Sequence, residues 1–459
     1  MSVEPHEQRW RGRLGFGIGG FGVSLVYASV GFLLLYYYTK VLGIPANIAG
    51  TIIAVGAVSD ALLDPIVGWI AGRTRTRWGK YRPYLLFGAV PLSLIFVTVF
   101  IDPGLTGSTL IAYCFVTLTL FRAAFQFIYM PYTSLVVVIT RDAHERSVIE
   151  GWRSWFIAAG QLTVSFLGLS AIDWLGKGDD RQGFAALALI YSVLAAASFL
   201  LSGMITREAA RDERMQDVSH PWRIAKLLWR NDQYRIVVIA TLFCQTGYAI
   251  VMSGALPLIT QAFGDRELTR WPLTAVTASA LIASFVWPVF ARRRGKAAAW
   301  MFGASLAAGA LIVVYLANPG SVWGYAAAFL VLGVGAQATL IMQFASAADA
   351  LDYGHWKLGE RTEAVGFAVM TMSSKASMAI GNGLLGWGFH LVGYAPNSAS
   401  DPAVTDGMRL VYLLLPVAFY LASLSFLRRY TITADSHAEI IRQLDDGHSP
   451  SPTKQASSG

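Results

Sequence analysis

Residues 46–82 read ANIAGTIIAVGAVSDALLDPIVGWIAGRTRTRWGKYR, and this stretch decides the fold. Between 46 and 71 the only charged residues are Asp60 and Asp64. A bilayer core about 30 Å thick takes roughly 20 apolar residues per helix, so 46–71 is long enough to cross one. Immediately after it come Arg73, Arg75, Arg77, Lys80 and Arg82. A basic loop next to an apolar run marks the cytoplasmic side of a membrane span.

The same ruler, moved along the chain, gives twelve spans. They fall at 14–40, 46–71, 83–102, 108–138, 152–175, 184–205, 234–260, 272–291, 297–317, 321–347, 362–393 and 407–427. Composition agrees: of 459 residues 55% are hydrophobic and only 14% charged, with a mean hydropathy of +0.49. A soluble domain carries about a quarter charged residues. The net charge of +8 comes from short loops between apolar runs, which is membrane topology and not nucleic-acid binding. Arg9, Arg11, Arg13, Arg141, Arg146, the run Arg207 to Arg230, and Arg292 to Lys296 share one side; the other is sparsely basic. Both termini are therefore expected in the cytoplasm. The N-terminal stretch carries acidic as well as basic residues and no clear cleavage site, so it reads as retained.

The expected fold class is an all-α integral membrane protein with the major facilitator fold, twelve transmembrane helices in two six-helix bundles. The boundaries read 1–13 for an N-terminal tail, 14–205 for the first bundle, 206–233 for a cytoplasmic linker, 234–430 for the second bundle and 431–459 for a polar, disordered tail. Within the linker, Pro221 to Arg230 places apolar and basic residues at helical spacing, as an interfacial helix under the inner leaflet does. Cys114 and Cys244 lie in apolar runs and form no metal or disulfide pattern. No phosphate-binding loop or catalytic constellation occurs, so the chain reads as a transporter without enzymatic cofactor.

Ionisable residues at bilayer depth are expensive and mark candidate sites. Here they are Asp60, Asp64, Arg122, Arg153 and Lys375. Asp60 and Asp64 are four apart and share one helix face, where two carboxylates need a cation, a proton or a guanidinium. Their functional reading is a coupling-cation site; the plainer one is a carboxylate pair that ties helices through an arginine.

Asp60-Ala61-Leu62-Leu63-Asp64-Pro65 with Gly68-Trp69, followed by Arg75-Thr76-Arg77-Trp78-Gly79-Lys80-Tyr81-Arg82-Pro83-Tyr84, resembles the glycoside–pentoside–hexuronide:cation symporters, the melibiose permease group of the major facilitator superfamily. Tyr37-Tyr38-Thr39 matches as well. So do Thr140-Arg141-Asp142 with Glu145-Arg146 and Trp152-Arg153, and Ala348-Asp349 through Asp352-Tyr353-Gly354, Trp356-Lys357, Gly359 and Arg361. The resemblance implies that Asp60 and Asp64 bind the coupling cation, that Arg153 contacts sugar hydroxyls, and that Lys375 acts in coupling.

The departures bear on the cargo. Where the family pattern has a sodium-binding asparagine this chain has Leu63, which favours a proton over sodium as coupling ion, with sodium still possible. Ser24, Tyr129 and Thr133 stand where the melibiose-type pocket has two aspartates and a tryptophan. Arg122, Gln126, Tyr129 and Thr133 recur at spacings of four, three and four and share a face. Arg122 has three readings: a partner of Asp60 or Asp64, a holder of an anionic substrate group, or a partner of backbone carbonyls. Substrate candidates are Ser24, Tyr27, Arg122, Gln126, Tyr129, Thr133, Trp152 and Arg153. Arg122, Arg153 and Lys375 against Asp60 and Asp64 make the cavity positive once one aspartate is protonated, so the expected cargo is a sugar or glycoside of acidic kind, such as a hexuronide, with a neutral glycoside or pentoside as the alternative. Lysolipid transport and a non-transporting sensor remain alternatives of another class. Membrane lipid is the expected surrounding, with no nucleic-acid partner, and the expected form is a monomer in a bacterial inner membrane.

Overall fold

The computed structural model describes residues 6–140, 143–208, 221–360, 362–395 and 401–445. Arg141, Asp142, Arg361, linker residues 209–220 and tail residues 446–459 lie outside the described residues. The described chain is helical, with no strand longer than an isolated bridge between Thr76 and Gly79.

In chain order the helices are α1 (His6–Tyr36), α2 (Ala46–Arg73), α3 (Arg82–Val99), α4 (Gly107–Ile139), α5 (Ala143–Leu162), α6 (Gly168–Gly176), α7 (Asp180–Ile205) and α8 (Pro221–Arg230). They continue as α9 (Asp232–Phe263), α10 (Arg270–Arg294), α11 (Lys296–Ala317), α12 (Val322–Leu358), α13 (Glu363–Leu391), α14 (Pro402–Leu427) and α15 (Ala434–Asp445). Eleven described stretches are long and apolar enough to cross a membrane. The eleventh expected span, α13, has the length but not the hydropathy, because Ser373, Ser374, Lys375 and Asn382 interrupt it.

Differences from the expected boundaries have local causes. α1 begins at His6, inside the expected tail, where Arg13 donates to both carboxylate oxygens of Glu145 at 2.7 and 2.8 Å. Span 5 is one path of two helices, α5 and α6, joined by a π-helical turn at Thr163–Leu167. Such a turn re-aims the side chains that follow it. The tail expected to be disordered from 431 is helical over Ala434–Asp445. Thr433 and Ser436 exchange side-chain to backbone hydrogen bonds at its start (3.2 and 2.8 Å), the reciprocal cap that opens a helix.

The basic loop after α2 is held by an acid. The Glu208 carboxylate accepts the backbone N–H groups of Lys80, Tyr81 and Arg82 at 2.7 to 2.8 Å. These are the orphan donors at the start of α3, where the helix dipole favours negative charge.

Contacts divide the chain into two compact units. The first comprises Met1–Met215, Met252–Thr277 and Asn382–Val411; the second comprises Gln216–Val251, Ala278–Gly381 and Tyr412–Gly459. Helices α9, α10, α13 and α14 each start in one unit and finish in the other. In the first unit α1 packs on α5 and α7, and α4 on α2 and α3. In the second, α12 packs on α11 and α15.

Candidate functional site

The site in the first unit is built on α2 and α4. Asp60 and Asp64 lie one turn apart on α2 and are 3% and 7% exposed. Arg122 on α4 is 4% exposed, and its guanidinium donates to Asp60 Oδ2 at 2.5 Å. Of its three sequence readings, the geometry takes the ion pair. A buried pair of this kind is poised: each charge costs several kcal/mol to desolvate, and removing one partner strands the other. Asp60 Oδ1 and Arg122 Nε have no hydrogen-bond partner, so the contact is single and not the forked form.

Gly56, one turn before Asp60, makes this approach possible. A Cβ built there would stand 3.2 Å from Arg122 Nε and 3.3 Å from Leu118 Cδ2. A Cβ at 56 would press on the Arg122 side chain, and a side chain larger than alanine would compete with it for this space. Sequence reasoning missed Gly56, although its position at i−4 from Asp60 was a usable signal.

Tyr27 on α1 adjoins the pair and interacts with Arg122. Phe125 stacks on Tyr27 with centroids 5.6 Å apart, and on Tyr129 at 5.4 Å. The charges of Arg153 and Asp64 both bear on Tyr129. Tyr27, Phe125, Tyr129, Asp60, Asp64 and Arg122 thus form one group, and Gln126 is buried on the same α4 face.

The other expected substrate residues have contacts of their own. Ser24 is buried, donates to the Phe21 carbonyl at 3.1 Å, and its hydroxyl lies 2.1 Å from where a Cβ at Gly160 would stand. It serves the packing of α1 on α5. Thr133 donates to the Met130 carbonyl at 3.0 Å. Trp152 meets Trp10 edge to face at 5.3 Å. Arg153 donates to Glu150 at 2.6 Å, an acidic neighbour that the sequence reading did not weigh. Lys375 lies on α13 in the second unit, half-buried.

The expected positive cavity is therefore reduced in the first unit, where Arg122 and Arg153 each face a carboxylate. Motif residues after span 10 also have assigned contacts. Lys296 donates to both oxygens of Asp349 at 2.7 and 2.8 Å, and Lys357 to Asp232 at 2.8 Å. Asp352 and Trp356 hold α15, through His437 at 2.9 Å and Gln443 at 2.8 Å.

Comparison with known proteins accords with this architecture. The chain is 29% identical over 435 residues to the putative glycoside/cation symporter YagG of Escherichia coli (strain K12), covering 94% of each. It is 25% identical over 444 residues to the glucuronide carrier protein homolog of the same organism, covering 95% of this chain and 96% of that one. The fold matches the crystal structure of a D-xylose-proton symporter with a TM-score of 0.65 at 14% identity, over 94% of this chain and 98% of that one. A family model described as MFS/sugar transport protein matches residues 15–434, and the chain belongs to that family.

Proposed function

We propose that this protein is a proton-coupled symporter that brings an uncharged sugar or glycoside into the cell by alternating access. The observation that carries the reading is the guanidinium of Arg122 on Asp60, 2.5 Å away, with both residues buried. A metal ion with a preference for oxygen needs several such ligands. At this site one Asp60 oxygen faces a cation that the chain itself supplies, and residue 63 is a leucine. A proton needs only one carboxylate, and Asp64, buried one turn away, is the group that exchanges it. Its neutralisation allows the binding site to pass from one side of the membrane to the other, and Lys375 tunes that step.

Charge pairing also bears on the cargo. Asp60 and Glu150 offset the charges of Arg122 and Arg153, so the site is less positive than two unpaired guanidinium groups would make it. The Tyr27–Phe125–Tyr129 stack offers ring faces and hydroxyls suited to a sugar ring. A second reading, an acidic sugar, is favoured by the likeness to the glucuronide carrier homolog. The protein acts as a monomer in a bacterial inner membrane with both termini inside.

The test is tracer uptake and current in proteoliposomes, with neutral glycosides and their uronic-acid counterparts, at two pH values, with and without sodium. Sodium-independent uptake of neutral glycosides driven by a proton gradient is expected. Uptake confined to acidic sugars would select the second reading, and sodium dependence would overturn proton coupling.

A further inference from the structure

Asp60 presents two oxygens to a buried space, and only one of them has a partner. The notch above Gly56 holds the Arg122 side chain, whose Nε would be 3.2 Å from a Cβ at that position. Tyr27 interacts with the guanidinium, and the next buried polar residues along the two helices are Asp64, one turn on along α2, and Gln126, one turn on along α4 and 1% exposed. Without the guanidinium these residues would be two carboxylates, an amide and a phenol, an oxygen set with hard-cation chemistry and net negative charge.

We infer that Arg122 is a tethered cation standing in an alkali-metal site, and that it makes this protein indifferent to sodium and lithium. The inference rests on the proposed coupling role of this helix face, and it names what excludes the metal. Arginine suits the position because its charge is permanent and its head group is weakly hydrated, so it desolvates more readily than an ammonium. Truncating Arg122 leaves Asp60 as an uncompensated buried carboxylate. A small monovalent ion that enters the vacated notch restores the charge balance.

The experiment uses the full-length protein in detergent and reads melting temperature against NaCl, LiCl and choline chloride at constant ionic strength. Arg122→Ala is expected to show a saturable rise of about 5 °C in sodium or lithium over choline. The wild type and Arg122→Lys should show none. Asp60→Asn combined with Arg122→Ala removes both charges and should lose the response. Arg122→Gln, which keeps a polar side chain and adds an oxygen, is the companion should the alanine variant not survive purification in any salt. Absence of an ion-specific shift in both Arg122→Ala and Arg122→Gln overturns the inference, as does a shift that persists in the double variant. Melting requires no transport, so a wild type that carries no glycoside would sink the symporter reading while leaving this result to stand or fall by itself.

Discussion

His437 Nε2 stands 2.9 Å from an Asp352 carboxylate oxygen and 3.6 Å from Asp349, and so joins the last helix, α15, to α12. Asp349 also takes Lys296 from the start of α11, so three helices meet at two carboxylates. Ile440, three residues on from His437 along α15, is also buried. A hydrogen bond such as that between His437 and Asp352 is worth about 0.5–1.5 kcal/mol. His437→Ala should therefore loosen α15 without unfolding the protein. Backbone amides of 434–445 are expected to exchange a few-fold faster by mass spectrometry, with α12 unchanged. Equal exchange in both proteins would mean that Trp356–Gln443 and Ile440 hold the helix alone.

Asp60→Asn leaves the Arg122 guanidinium buried without a counter-charge. Removing one partner of a buried pair costs about 3–5 kcal/mol. The single variant should be poorly recovered from membranes and melt many degrees lower, and adding Arg122→Gln should restore most of the loss. If the two single variants and the double melt alike, the pair contributes no coupling energy.

Asp64→Asn removes the proposed proton carrier and leaves the Asp60–Arg122 pair in place. Uphill accumulation should vanish, while exchange of labelled for unlabelled substrate across the membrane persists. Full accumulation by this variant would remove Asp64 from coupling.

Gly56→Leu should act through Arg122 and not through the fold of α2, since leucine is a good helix former. The guanidinium must move off Asp60 to admit the side chain. Transport is expected to fall at least ten-fold at near-normal membrane levels. Retained activity would show that the contact tolerates displacement.

In the first unit Arg266 bridges Asp173 at the end of α6 and Asp180 at the start of α7, the latter at 2.5 Å. Further along, Thr277 on α10 donates to Ser165 in the π-helical turn at 3.3 Å, and both are buried. If Arg266 keeps these elements together, Arg266→Gln should raise the labelling rate of a cysteine placed at 277 several-fold. Cys114 and Cys244 are buried and can be replaced by serine in the background. Unchanged labelling would assign Arg266 to loop packing only.

Much of this was legible in the sequence because bilayer length and loop charge act on long stretches. The α2 segment could be recognised from 46–71 and its basic loop alone. The depth of Arg122 in span 4 already matched that of Asp60 in span 2. Which aspartate it meets was not legible: Asp60 and Asp64 differ by one turn, about 6 Å, and a helix rotation of a few tens of degrees decides between them. The rotation of α1 that turns Ser24 toward Gly160 was hidden for the same reason. Glu150 escaped notice because an i,i+3 neighbour of Arg153 at a span's entrance looks like ordinary surface charge. The α15 helix was missed because its polar composition outweighed a capping pair at Thr433 and Ser436 and a few apolar residues.

Four helices, α9, α10, α13 and α14, belong to both compact units. Cutting the polypeptide in the 209–220 linker would give an N-terminal piece that lacks 252–277 and 382–411, and hence part of its own unit. The C-terminal piece would carry those two stretches, parted from the unit to which they belong. Co-synthesis of the two in one membrane should rescue both, whereas either expressed alone should be cleared by proteases. Heredity would feel the same bond, since recombination that exchanges one half between distant relatives must import matching partners at four helix ends.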